Sequence, residues 1–488
     1  MMRIMMRSAV LGVGLALLVG GGARADDARS PAARVSRLLA GCPEEFACGP
    51  LLADASAPPS LAKTAEASVD AAPLPRLGPI DFPAVDAAAA AFRSSDPHLQ
   101  AMFAAALKNT GNQASWTSDG TVYVQTGDIP AEWLRDSSAQ VRPYLLFAKG
   151  DPDVDAFLRA VVQRQAKSLS ADPYANAFRK DYSVWEEKFE LDSLCYPIML
   201  AWTYWKVSGD ASVFTPEVAA GFGRALDVMV QEQDHATAPR RYTHKELKKN
   251  PVGPTGMIWT GFRPSDDACV YNYLIPSEMM AVVALGELAE IERDVYKNAP
   301  VAANAEALRG QVDEGIQKFG VVESPKFGRV FAYEVDGLGH SNLMDDANLP
   351  SLLSAPYFGY VPASDPIYQA TRRFILSPAD PEFYQGKAAS GVGSPHTDPH
   401  GKWVWPLALL AEGFTATDPA EKSKDLSELL ASDPGDGRLH ESFDPNNPKR
   451  FTRKDFGWPN ALLAEWILQT QGGREPLPSG GPDAGAQR

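Results

Sequence analysis

From about residue 81 the chain alternates between stretches whose apolar residues recur every three to four positions and loops dense in Gly, Pro, Asp and aromatics. Phe92, Leu99, Met102, Phe103 and Leu107 open the series at helical spacing. Further helices are predicted near 138–148, 153–169, 191–207, 215–232, 276–295, 302–318, 366–376, 403–414, 418–431 and 458–470. Strand patterns are few and short: Thr121 to Gln125, and Arg329 to Val335. About a dozen helices joined by elaborated loops fit an all-α fold, an α/α toroid in which an inner ring of helices is wrapped by an outer one; a helical solenoid and an irregular multi-helix arrangement are the alternatives. The sequence contains no fixed-period repeat, which weighs against a helical solenoid.

The two ends read differently. Arg3 and Arg7 precede an uncharged apolar run from Ser8 to Gly22, and Ala23-Arg24-Ala25 offers a small-residue cleavage site. Residues 1–25 therefore read as a secretory signal peptide, with a periplasmic or secreted destination. Leu39-Ala40-Gly41-Cys42 resembles a lipobox, but Arg24, Arg29, Arg34 and Arg37 separate it from the apolar run. A local Cys42–Cys48 disulfide is the better reading in an oxidising compartment. Residues 26–80 form an arm and an Ala/Pro-rich linker, 81–471 the catalytic domain, and 472–488 a Gly/Pro-rich tail expected to be disordered. Cys195 and Cys269 lie in apolar surroundings and read as core.

Composition narrows the function. Of 488 residues, 46 are Lys or Arg and 61 are Asp or Glu, for a net charge of -15. That balance argues against nucleic acid as a partner. No segment beyond the signal is apolar enough to enter a bilayer. There is no G-x-S-x-G elbow, H-E-x-x-H pair, P-loop or G-x-G-x-x-G, and His396/His400 is a poor metal pair in a Gly/Pro-rich loop. No cofactor and no metal are expected.

What remains is a set of loops that combine acids with aromatics. GDIPAEWLRDSS, WEEKFELDSLCYP, WTGFRPSDDAC, MDDAN, GSPHT and HESF each carry a carboxylate, amide, hydroxyl or imidazole. Trp116, Trp133, Trp185, Trp259, Trp403, Trp405 and Trp458 lie in or beside such loops. Carboxylates grip sugar hydroxyls through charge-assisted hydrogen bonds, and a helix cap alone needs no tryptophan. Glycoside hydrolysis needs two such carboxyls, one to protonate the leaving oxygen and one to activate water or attack carbon.

The strings GDIPAEWLRDSSAQVRPYL, ELDSLCYP, GFRPSDDACVYNYLIPSEM, LMDDANLPSLLS, GSPHT and LHESFDP…FTRKDFGWPNALLAE resemble glycoside hydrolase family 125, in order, from about 81 to 471. The resemblance implies an (α/α)6 barrel and a metal-independent exo-α-1,6-mannosidase that inverts the anomeric carbon of terminal mannose on manno-oligosaccharide, N-glycan or mannan. It implies that Glu441 is the general base and that the general acid is Asp266 or Asp267. Trp133, Arg135, Asp136, Glu190, Asp192, Trp259, Arg263, Asp345, Asp346, Asn348, His396, Trp405, His440 and Arg453 are the candidate substrate-binding residues. Two alternatives stand beside this: another (α/α)6 glycosidase acting on α-glucosides, and a carbohydrate-binding homologue without turnover. The sequence leaves the oligomeric state open.

Overall fold

A computed structural model describes residues 80–481. The signal peptide, Cys42, Cys48, the arm up to residue 79 and the tail beyond residue 481 lie outside the described residues.

Fourteen helices lie within them: α1 (Pro83–Ala91), α2 (Pro97–Gln113), α3 (Leu134–Gln140), α4 (Arg142–Leu145), α5 (Pro152–Ala171), α6 (Leu191–Ser208), α7 (Pro216–Gln231), α8 (Ile275–Asp294), α9 (Ala299–Gly315), α10 (Ala355–Phe358), α11 (Pro366–Ile375), α12 (Pro406–Thr415), α13 (Pro419–Ser432) and α14 (Gly457–Thr470). Neighbour relations close a ring. Helix α3 packs on α6, α6 on α8, α8 on α10, α10 on α12, α12 on α14, and α14 returns to α3. Helices α2, α5, α7, α9 and α13 pack outside it, and the chain alternates outer and inner throughout, with α11 in the outer place between α10 and α12. This is the (α/α)6 toroid.

Burial follows the two layers. In α6 every residue from Leu191 to Tyr204 is buried, and in α14 every residue from Gly457 to Leu468. A helix apolar all round belongs inside. Outer α7 instead buries one stripe, Val218, Phe222, Ala225, Leu226 and Met229. Each such buried Phe or Leu stabilises the fold by about 1.5–3 kcal/mol. Gly221 lets α7 approach α5 closely, since a Cβ there would lie 2.4 Å from the Ala166 carbonyl oxygen.

The helix starts also differ. Five outer helices begin Asp96-Pro97, Asp151-Pro152, Thr215-Pro216, Asp365-Pro366 and Asp418-Pro419, and each Asp or Thr side chain accepts a backbone N–H of the first turn, whereas outer α9 starts after Asn298 without such a bond. The residues before α3, α6, α8, α10, α12 and α14 make no such bond. Long connections lead into the inner helices, such as 232–274 and 316–354; short ones lead out, such as 295–298 and 416–418.

Three expectations change. The helix predicted over 138–148 is two pieces, α3 and α4, broken at Val141, with Pro143 unable to donate the N–H that a continuous helix needs. The inner helix α10 is too short to show a period. Residues 472–481, expected as part of a disordered tail, pack on the body. Arg474 donates to the Leu146 carbonyl at 3.1 Å, Gly480 N–H donates to Glu287 at 2.9 Å, and Leu477 rests on the core. Cys195 and Cys269 are buried and unpaired, as core residues.

Candidate active site

The uncapped starts of the inner helices and the long loops before them converge on a pocket of about 270 Å3. Arg135 and Asp136 come from the first turn of α3, Asp266 from the loop before α8, Asn348 from the loop before α10, and His396 and Trp405 from the approach to α12. Glu441, Arg453, Phe456 and Trp458 come from the approach to α14 and its start. Helix N-termini carry partial positive charge, which suits a site lined with carboxyls. Trp133 is set by a short sheet in which Glu132–Trp133 pairs with Ala177–Phe178, itself paired with Val184–Glu186.

Arg135 is the electrostatic hub. Its guanidinium lies 2.6 Å from Glu190, 3.1 Å from Asp192, 3.5 Å from Asp266 and 3.6 Å from Asp136. Four carboxyls crowd this one guanidinium, which favours protons on the most deeply buried of them. Burial pushes Asp136 up to about 6 against the pull of Arg135 and Arg453. Burial also pushes Glu190 well above the usual carboxylate range. Asp266 is only partly buried, and Arg135, Glu190 and Lys188 together hold it below that range.

The adjacent aspartates part company at a tight turn. Arg263 N–H donates to the Asp267 carbonyl at 2.8 Å, and Asp266 N–H to the Arg263 carbonyl at 2.9 Å. Asp266 takes a left-handed backbone, φ 65°, which L-residues with a Cβ rarely adopt. Its carboxyl faces the pocket and accepts from Asn176 Nδ2 at 3.0 Å. Asp267 is turned instead to His396, 3.1 Å from Nδ1. Burial pulls His396 down, yet Asp267, Glu441 and Asp266 raise it to about 9, so it is a cation near neutrality.

Glu441 precedes the hairpin Ser442–Asp444/Asn447–Thr452. Burial raises its carboxyl, while Arg453, His396 and a hydrogen bond from Thr452 pull the other way. Arg453, also in the left-handed region at φ 51°, holds Asp128 at 2.8 Å through Nε and lies 3.9 Å from Glu441 through Nη1.

Several nominated residues stand behind the pocket rather than in it. Trp259 stacks on His235 at 3.6 Å and on Phe189 in the core. Arg263 is paired with buried Glu334 at 2.7 Å, anchoring the turn that carries Asp266. Asp345 accepts the N–H groups of Leu352 and Leu353 at 2.9 and 3.0 Å, and so shapes the approach to α10. Asp346 binds Ser265 Oγ at 3.0 Å, Ser394 Oγ at 3.1 Å and Asn348 Nδ2 at 3.1 Å. His440 donates to the Arg453 carbonyl at 2.9 Å and stacks on Phe451. Glu190 and Asp192 lie beneath Arg135. None of these side chains lines the pocket.

Six pocket residues were missed: Thr126, Ile129, Pro264, Ser265, Phe456 and Trp458. All but Thr126 fall inside the quoted motifs, so proximity to the acids was the available signal. Among the described residues, one group of carboxylates is close enough to hold an ion: Glu412, Glu421 and Asp425. None lines the pocket, and Lys424 and Arg372 already pair with them. No helix among the described residues is long and apolar enough to cross a membrane.

Comparison with known proteins follows the geometry. Residues 96–468 match the family of metal-independent alpha-mannosidases, GH125. The meiotically up-regulated gene 157 protein of Schizosaccharomyces pombe is 38% identical over 388 residues, 71% of this chain and 76% of that one. A metal-independent alpha mannosidase of Streptococcus pneumoniae, solved as a non-productive substrate complex with α-1,6-mannobiose, is 40% identical, with a TM-score of 0.74 over 79% of this chain and 96% of that one. A bacterial glucoamylase complexed with acarbose, 13% identical, shares the fold at a TM-score of 0.58 over 79% of this chain and 57% of that one. The chain belongs to glycoside hydrolase family 125, the metal-independent α-mannosidases.

Proposed function

We propose that the protein is an exo-acting α-1,6-mannosidase that releases terminal mannose with inversion, using Asp266 as general acid and Glu441 as general base. The observation that carries this is that, of the candidate carboxyls, Asp266 and Glu441 both open onto the same pocket, whereas Asp267 is committed to His396. The substrate class is taken from the α-1,6-mannobiose bound to the Streptococcus pneumoniae neighbour.

In this reading Asp136 and Asn348 accept and donate to sugar hydroxyls. Trp133, Trp405 and Trp458 supply aromatic faces to the C–H side of the ring. His396 donates to a hydroxyl while held by Asp267. Asp266 protonates the glycosidic oxygen as the C1–O bond breaks. Glu441, kept anionic by Arg453 and His396, takes a proton from the water that adds to the opposite face. The residues around the acids supply positioning and charge, and no step needs a metal. The signal-like residues 1–25 support a periplasmic or secreted location for this activity.

The test is hydrolysis of α-1,6-mannobiose followed by proton NMR, with chelator present. Early appearance of β-mannose is the expected result. Release of α-mannose first would overturn inversion. No release of mannose, alongside activity on maltose or trehalose, would overturn the mannosidase reading.

A further inference from the structure

Below the pocket floor, Glu190 is linked to the proposed acid through Arg135 and Asn176 and does not line the pocket. Its side chain is fully buried at the start of α6. One oxygen accepts from Arg135 Nη1 at 2.6 Å and Ser193 Oγ at 2.8 Å; the other accepts from Asn176 Nδ2 at 3.3 Å. That same Asn176 amide also lies 3.0 Å from Asp266 and 3.1 Å from Glu186. An amide has two hydrogens, and three carboxyls compete for them. The carboxyls of Glu190 and Asp266 therefore share two donors, the Asn176 amide and the Arg135 guanidinium. Two carboxyls gathered around the same donors, one fully buried and one partly so, favour a proton on one of them.

We propose that Glu190 is a positioning residue for the reaction: it shares a single proton with Asp266 and supplies it to the acid. This rests on Asp266 being the acid. Without such a partner, Asp266 would face the cations Arg135, Lys188 and His396 and remain an anion. The anions Asp136, Glu186 and Asp192 face the same cluster and help to retain the proton. In the resting pair the proton sits on Glu190, and the Arg135 guanidinium, which contacts both carboxyls, stabilises the negative charge on either one. As the C1–O bond breaks, Glu190 passes its proton to Asp266 and Asp266 passes one to the leaving oxygen. Water adds to C1 and loses a proton to Glu441. The pair ends one proton short and Glu441 one proton richer, and exchange with solvent restores both.

The test is Glu190→Gln, assayed across pH on α-1,6-mannobiose and on 2,4-dinitrophenyl α-mannoside, whose leaving group needs no proton. The expected result is a fall of about 100-fold in kcat/KM on the disaccharide. The alkaline limb of the disaccharide profile should also move to lower pH, because Asp266 then titrates alone. The activated substrate should lose less than about threefold. An equal loss on both substrates, or an unmoved limb, would overturn the proposal. If the Gln variant does not fold, Glu190→Asp serves: its retained carboxyl should give a smaller loss, again confined to the disaccharide. Asp266→Asn is run beside these. Equal loss on both substrates in Asp266→Asn sinks the acid assignment itself, whereas a disaccharide-selective loss there with none in Glu190→Gln sinks only the shared proton.

Discussion

Arg453 approaches Glu441 from a left-handed backbone position, its Nη1 3.9 Å from the carboxylate Oε1, while its Nε is tied to Asp128 at 2.8 Å. The arginine is therefore fixed before substrate arrives, and it opposes the effect of burial on Glu441. A base must be ionised, so activity falls as pH drops through the pKa of Glu441. Arg453→Met should raise that pKa and move the acidic limb of the pH–rate profile upward. An acidic limb that stays in place would show that Arg453 does not set the charge of Glu441.

Glu441→Gln should remove the proton acceptor and leave the pocket shape intact. The expected loss in kcat is about 100-fold or more. Mannose binding by calorimetry should change little. A variant with near-wild-type turnover would remove Glu441 from the mechanism.

Arg263 and Glu334 form a buried pair at 2.7 Å that anchors the Asp266 turn. Removing one partner leaves the other charge buried and alone, at a cost of about 3–5 kcal/mol. Glu334→Gln should lower the urea midpoint accordingly, and it should reduce activity through displacement of Asp266. Unchanged stability would mean that the turn is held by its backbone bonds alone.

Glu287 lies under the C-terminal segment, and burial raises its carboxyl to about 8 even though Gly480 N–H donates to it. The folded protein holds this proton at a pH where the unfolded chain, near 4.5, has released it. The stabilising contribution is thus complete below about 4.5 and is lost as pH rises toward 8. Glu287→Gln has no such loss, so its Tm relative to wild type should increase between pH 5 and pH 8. A constant difference across that range would contradict the assignment.

The ring helices were legible wherever apolar period and length coincided, as in α6, α8 and α14. The motif acids were legible as a group because they sit beside tryptophan. Their individual roles were not, since Asp266 and Asp267 differ only in backbone conformation, and Trp259 and Trp133 only in which side of a loop they face. A further signal lay in the starts of five outer helices, Asp or Thr followed by Pro at 96–97, 151–152, 215–216, 365–366 and 418–419. Asp-Pro at 172–173, 380–381, 398–399, 433–434 and 444–445 opens no α-helix, however, so the dipeptide reads only together with the apolar period that follows it. The five starts recur by pattern rather than by fixed spacing, because the long loops between them vary in length.

The unequal connections have a practical corollary. All the chemistry is carried by the loops that enter the inner helices, so the opposite rim, at 209–215, 295–298, 359–365 and 416–418, is free of it. That rim offers attachment points for a tether, a label or a fused binding module, placed where the cargo cannot obstruct the entry of substrate.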